Sequence, residues 1–101
     1  MKLSILIPAY NEEDTIGQVI EEIPKSIASI DNIEIIVVDD GSSDKTAKIA
    51  REKGASVFSF SNNGGLAKAI SFGFLKGIEN KTDILVILDA DNQYDSSEIP
   101  L

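Results

Sequence analysis

The sequence predicts an α/β domain built on a parallel sheet of about four strands, ordered 3-2-1-4, with helices on both faces. Three observations carry that expectation. Short apolar runs alternate with helix-period segments in the order βαβαβαβ, and such alternation gives parallel strands joined by right-handed crossovers. The run Ile35-Ile36-Val37-Val38 is apolar at every position, as a strand covered on both faces should be. A polar cluster follows directly after each apolar run, where sheets of this kind place their ligands.

Each element has its own signal. Residues 3–7 form a short apolar run stopped by Pro8 and read as the first strand. A helical pattern starts near Glu13, with Ile16, Val19, Ile20, Ile23, Ile27 and Ile30 three and four apart. Pro24 falls inside it and predicts a kink or a break. Residues 34–38 are the second strand. Ser42, Ser43 or Asp44 can cap the next helix, which closes at Gly54 after Lys53. Residues 56–60 make a short third strand. Residues 65–77 are helical, with Leu66, Ala69, Ile70 and Phe74 on one face, and residues 84–88 are a buried fourth strand.

Composition narrows the function. The chain has 101 residues, 43% of them hydrophobic, enough for one small core. Nine basic residues against 17 acidic ones leave a net charge of -8, so no basic face exists for nucleic acid. There is no cysteine and no histidine, which removes disulfides, thiolate chemistry and the commonest zinc ligand. The first residues run straight into a strand rather than a signal peptide. No apolar run approaches the roughly 20 residues of a membrane span. The expectation is a cytoplasmic chain, at most peripheral at the cytoplasmic face of a membrane.

The clusters beyond the strand ends fall on one rim: Pro8-Ala9-Tyr10-Asn11-Glu12, Asp39-Asp40-Gly41-Ser42, Asn62-Asn63-Gly64-Gly65 and Asp89-Ala90-Asp91. Two carboxylates about 5 Å apart repel by roughly 3 kcal/mol at an effective dielectric near 20. Asp89 and Asp91 therefore suit a cation, with hard oxygen ligands favouring magnesium, manganese or calcium. They also suit plain loop acids that end a strand. Asp39 can accept from a base or a ribose, and Asp39 and Asp40 can equally order their own turn. The Tyr10 ring can stack on a base or pack on the sheet edge. Glu12 reads as a helix first-turn acid. Asn63-Gly64-Gly65 is either a plain loop or a source of amides for an anion, and Lys68 is either surface charge or a phosphate contact.

Four stretches, "ILIPAYNEEDTIGQVIEEI", "IEIIVVDDGSSDKT", "NNGGLAKAISFGF" and "ILVILDADNQYD", resemble in order and spacing the donor half of family-2 glycosyltransferases of the GT-A fold. The likeness is greatest to the dolichol-phosphate mannosyltransferase-like and polyprenyl-phosphate sugar transferases, and it covers nearly the whole chain. It implies that Pro8, Tyr10 and Glu12 hold the nucleoside, that Val37 and Asp39 contact base and ribose, and that Asp89 and Ala90 meet the diphosphate. It further implies a metal, Mg2+ or Mn2+, on Asp89, Asp91 and Gln93. The implied donor is a GDP- or UDP-sugar and the implied acceptor a polyprenyl phosphate. Gly64, Ala67 and Ser96 depart from residues common in such relatives.

The resemblance also implies that residues 1–101 are a donor-binding part, truncated at the carboxyl end, with the acceptor site and catalytic base beyond Leu101. Two other readings stay open. A sugar-nucleotide nucleotidyltransferase would carry a glycine-rich loop where Pro-Ala-Tyr-Asn-Glu stands. A non-catalytic, metal-dependent nucleotide-binding module would need nothing more than the rim. The exposed edge of the fourth strand offers a route to a homo-oligomer.

Overall fold

A computed structural model describes residues 1–90. It contains, in chain order, β1 (Lys2–Ala9), α1 (Ile16–Glu21), β2 (Asn32–Asp39), α2 (Thr46–Glu52), β3 (Ser56–Ser59), α3 (Leu66–Glu79) and β4 (Ile84–Ile87). The strands form one parallel sheet in the order β3-β2-β1-β4, as expected. In the register Ile7 lies beside Val37, Val37 beside Val57, and Leu6 beside Ile87.

β1 is central and buries both of its faces. Leu3, Ile5 and Ile7 point into a core filled by Ile16, Val19 and Ile20 of α1 and by Ala50 of α2. Leu6, Ile36 and Val38 point the other way, against Ala69 and the half-buried Phe58, Phe60, Phe72 and Leu85. The period of two along β1 thus divides the domain into layers, with α1 and α2 on one side and α3 on the other. Ser4 is the polar exception on β1; its hydroxyl is fully buried and hydrogen-bonds the Thr82 hydroxyl.

Pro24 breaks the first helical segment rather than kinking it. α1 stops at Glu21, because a proline cannot donate and its ring crowds the carbonyl four residues back. Ile23 and Ile27 still fill the core from irregular backbone. At α2 the cap position falls on Lys45, which makes no side-chain cap bond, rather than on Ser42, Ser43 or Asp44; Asp44 instead accepts from the Thr46 amide at 3.0 Å and from the Thr46 hydroxyl.

Two expectations for the far side of the sheet need correction. In α3, Ala69 is buried, but Leu66 and Phe74 are 63% and 51% exposed. The buried seam is Ala69, Gly73 and Gly77, four residues apart. A Cβ on Gly73 would lie 2.2 Å from Leu6 Cδ1, so the helix seats on the sheet through its smallest residues, with Ile70 and Phe72 packed beside the seam and Leu66, Phe74, Leu75 and Ile78 turned outward. The second correction concerns β4. Its place at the edge of the sheet is as the strand order implied, but its apolar sequence led to the expectation of a buried strand, and Ile87 is 45% exposed.

Candidate functional site

The carboxyl ends of β1, β2 and β4 open onto a cleft of about 250 Å³, lined by Pro8, Tyr10, Glu12, Asp40, Asn63, Gly65, Asp89 and Ala90 among others. Residues from each of the four clusters anticipated from the sequence thus meet at one cleft. Its loops are joined by hydrogen bonds that cross between elements.

The first and second loops are stapled together. The Asn11 amide donates to Ser42 Oγ at 2.8 Å, and the Ser43 amide donates to Asn11 Oδ1 at 2.9 Å. Asn11 takes a left-handed φ of 51°, which asparagine tolerates better than most residues. The Glu12 amide donates to the fully buried Thr46 Oγ1 at 2.8 Å. The Glu13 amide donates to Asp44 Oδ2, and the Lys45 amide to Glu13 Oε2, both at 3.3 Å. Burial pushes the Asp44 carboxyl up, but the hydrogen bonds from Thr46 and Glu13 outweigh it and hold the group below its ordinary value.

Asp40 joins the second loop to the third. Its side chain is 5% exposed, and it accepts from the Gly64 amide at 2.7 Å and the Gly65 amide at 2.9 Å. These amides were a candidate anion cradle; the anion they hold is the protein's own carboxylate. The same approach explains Gly41. It has φ 82°, and a Cβ there would lie 2.7 Å from the Asn62 and Asn63 main chain, so only glycine fits.

The remaining predicted residues divide clearly. Pro8, Tyr10, Glu12, Asp89 and Ala90 all line the cleft, with Tyr10 46% exposed to it and to solvent. Val37 does not; it is fully buried in the core. Asp39 does not either. It is 4% exposed, and its two oxygens accept from the Ser42 amide at 3.0 Å and from Ser59 Oγ at 3.1 Å. Lys68 places its ammonium 5.1 Å from the centre of the Phe60 ring, as a surface charge resting on an aromatic. Asp91 and Gln93 lie outside the described residues. Asp40, Asn63, Gly65, Leu66 and Ala69 line the cleft without having been named as site residues; only the clustering of Asp40 and Asn63 behind strand ends hinted at it.

Asp89 stands apart from the other rim acids. It lines the cleft and is half-buried, and among the described residues no hydrogen bond or ion pair engages its carboxylate. No group of three acidic or other metal-ligating side chains occurs among the described residues. Asp89 offers the cleft a hard carboxylate oxygen that is unengaged among the described residues, which fits one position in the coordination of a divalent cation.

A parallel sheet ordered 3-2-1-4 with a cleft outside its carboxyl ends defines an open, doubly wound class of α/β domain, in which ligands bind at that rim. Within that class, the profile of glycosyl transferase family 2 matches residues 4–101, and the chain belongs to that family. It is 38% identical to the undecaprenyl-phosphate 4-deoxy-4-formamido-L-arabinose transferase of Edwardsiella ictaluri, over 97% of this chain and 31% of that protein. It is 35% identical to the dolichol-phosphate mannosyltransferase of Pyrococcus furiosus, over 99% of this chain and 28% of that one. Among solved structures it is similar to glucosyl-3-phosphoglycerate synthase from Mycobacterium tuberculosis in complex with Mn2+, uridine diphosphate and glucosyl-3-phosphoglycerate. There the TM-score is 0.69 with 32% identity, over 88% of this chain and 33% of that one. The fold is thus that of the GT-A glycosyltransferases, and the chain spans about a third of the length of these relatives.

Proposed function

We propose that the chain is the donor-binding part of a glycosyltransferase that takes a sugar from a nucleotide-diphospho-sugar and passes it to a polyprenyl phosphate. The observation that carries this reading is the Asp89 carboxylate, unengaged among the described residues, in a cleft where the neighbouring wall acid Asp40 is already used by the protein. Pro8, Tyr10 and Glu12 form the wall for the nucleoside, with the Tyr10 ring exposed for stacking on a base. Asp89 and Ala90 face the diphosphate. Val37 and Asp39 act from behind the cleft by fixing the end of β2. Mg2+ or Mn2+ on Asp89, Asp91 and Gln93 would neutralise charge on the leaving diphosphate.

The acceptors named for the relatives support the acceptor class, and uridine diphosphate with Mn2+ in the structural neighbour supports a nucleotide-sugar donor with a divalent ion. We place the acceptor site and the catalytic base outside the described residues; the chain spans about a third of the length of its relatives. That protein would work at the cytoplasmic face of a membrane; no described helix is long and apolar enough to cross one.

Thermal melting tests the donor site. UDP or GDP at tenfold excess over its Kd stabilises the fold by about 1.4 kcal/mol through mass action. A rise in Tm with Mn2+ or Mg2+ and none in EDTA is the expected result. Equal stabilisation in EDTA removes the metal from the reading, and no shift under any condition removes the donor site.

A further inference from the structure

A threonine just before a helix ordinarily turns its oxygen to the amides of the first turn. Thr15 stands at that position before α1 and makes no such bond. Its Oγ1 instead donates to the main-chain carbonyl of Ala90, 2.5 Å away and 75 positions along the chain. The β1–β4 ladder is finished by then. Its last paired residues are Leu6 and Ile87, and Leu88 adds one further bond to the Leu6 carbonyl. Past that point Thr15 ties the chain leaving β4 to the first loop. Ala90 is 3% exposed at that place and sits one residue beyond Asp89.

The same loop is fixed on its other side by the Asn11, Glu12 and Glu13 bonds to the second loop. Thr15 therefore joins the block that carries Pro8, Tyr10 and Glu12 to the segment that carries Asp89. We propose that Thr15 is a positioning residue for the donor site. Its hydroxyl sets the separation between the nucleoside wall and the acid that meets the cation and diphosphate. A ligand that bridges two loops is held well only if their spacing is fixed before it arrives. The helix gives up its cap for this, which is consistent with a local loss accepted for the geometry of a site.

This inference rests on the donor-site reading, and one experiment separates the two. UDP is titrated into the full chain by calorimetry, in Mn2+ and in EDTA, for the wild type, Thr15→Val and Thr15→Ser, with a urea midpoint for each. Valine keeps the shape and removes the donor; serine keeps the donor. The expected result is a loss of about tenfold or more in Mn2+-dependent affinity for Thr15→Val, the usual effect of removing an outer partner of a metal ligand. Metal-free affinity stays as in the wild type, and Thr15→Ser recovers most of the loss. Wild-type Mn2+-dependent affinity in Thr15→Val overturns the role of Thr15 alone. An equal loss in the valine and serine variants shows that the effect does not follow the hydroxyl, and a fall in metal-free affinity that tracks the urea midpoint shows a merely structural hydroxyl; either result also overturns it. No Mn2+-dependent binding by the wild type overturns the donor site and this inference together. Thr15→Ala replaces Thr15→Val, with the same outcomes, if the valine variant does not fold.

Discussion

At the scale of single residues, the acids after β2 and β4 have opposite employment. Asp40 is spent on two loop amides, and charge-assisted bonds of this kind are each worth about 1.5–3 kcal/mol. Asp40→Ala should therefore destabilise the fold by about 3 kcal/mol in urea unfolding, whereas Asp40→Asn, which keeps one acceptor oxygen, should cost about half as much. Asp44 makes a prediction in pH. Its folded carboxyl titrates below its ordinary value because Thr46 and Glu13 donate to it and outweigh burial. Its contribution is full above the unfolded value of about 4 and is lost as pH falls through the lower folded value. The Tm of the wild type should drop more steeply than that of Asp44→Asn between neutral pH and pH ~3; parallel curves would show that the network does not depend on the charge. The sequence placed all these acids on one rim but left their roles open. Asp44 owes part of its role to Thr46, two residues on, but its bond from Glu13 spans 31 residues and those of Asp40 span 24 and 25, and such contacts leave no period in the sequence.

At the scale of elements, the strands were legible because apolar runs and their stops are local signals. The end of α1 was legible for the same reason, since Pro24 acts on its own turn. The buried face of α3 was not. Periodicity ranks positions by size and hydrophobicity, so it chose Leu66 and Phe74 over Gly73 and Gly77. The sheet chose the small residues because Leu6 fills the space a side chain would need. Gly73→Ala weighs two effects: alanine gains up to about 1 kcal/mol in helix propensity, while overpacking of a dense core costs about 1–3 kcal/mol. The contact at 2.2 Å makes the second larger, so a net loss of stability is expected. In a double-mutant cycle with Leu6→Ala the two losses should fall short of additivity, because the space vacated by Leu6 accepts the new methyl. Strict additivity would place the clash elsewhere.

At the scale of the whole molecule, one side is finished and the other is not. α1 and α2 close their face of the sheet over Ile16, Val19, Ile20 and Ala50. On the other, Phe74, Leu75, Ile78 and Ile87 are each 45% exposed or more, beside the edge strand β4. Contiguous apolar surface at a parallel edge invites association. The 101-residue chain should self-associate with rising concentration in sedimentation velocity, and Ile78→Lys with Ile87→Lys should return it to a monomer. A wild type that stays monomeric at millimolar concentration would show that this face needs no cover. The rim, by contrast, is tied together by its own hydrogen bonds, and Asp89 carries none of them among the described residues, which is why we assign it to a ligand. The most direct measurement is a paired one on Asp89→Asn: free energy of unfolding, and affinity for UDP with Mn2+. The expected result is a stability within about 0.5 kcal/mol of the wild type, as for a side chain that supports nothing in the fold, together with loss of the metal-dependent affinity. A fall in stability of several times that size with affinity retained would contradict it, and would make Asp89 one more acid that the protein keeps for itself.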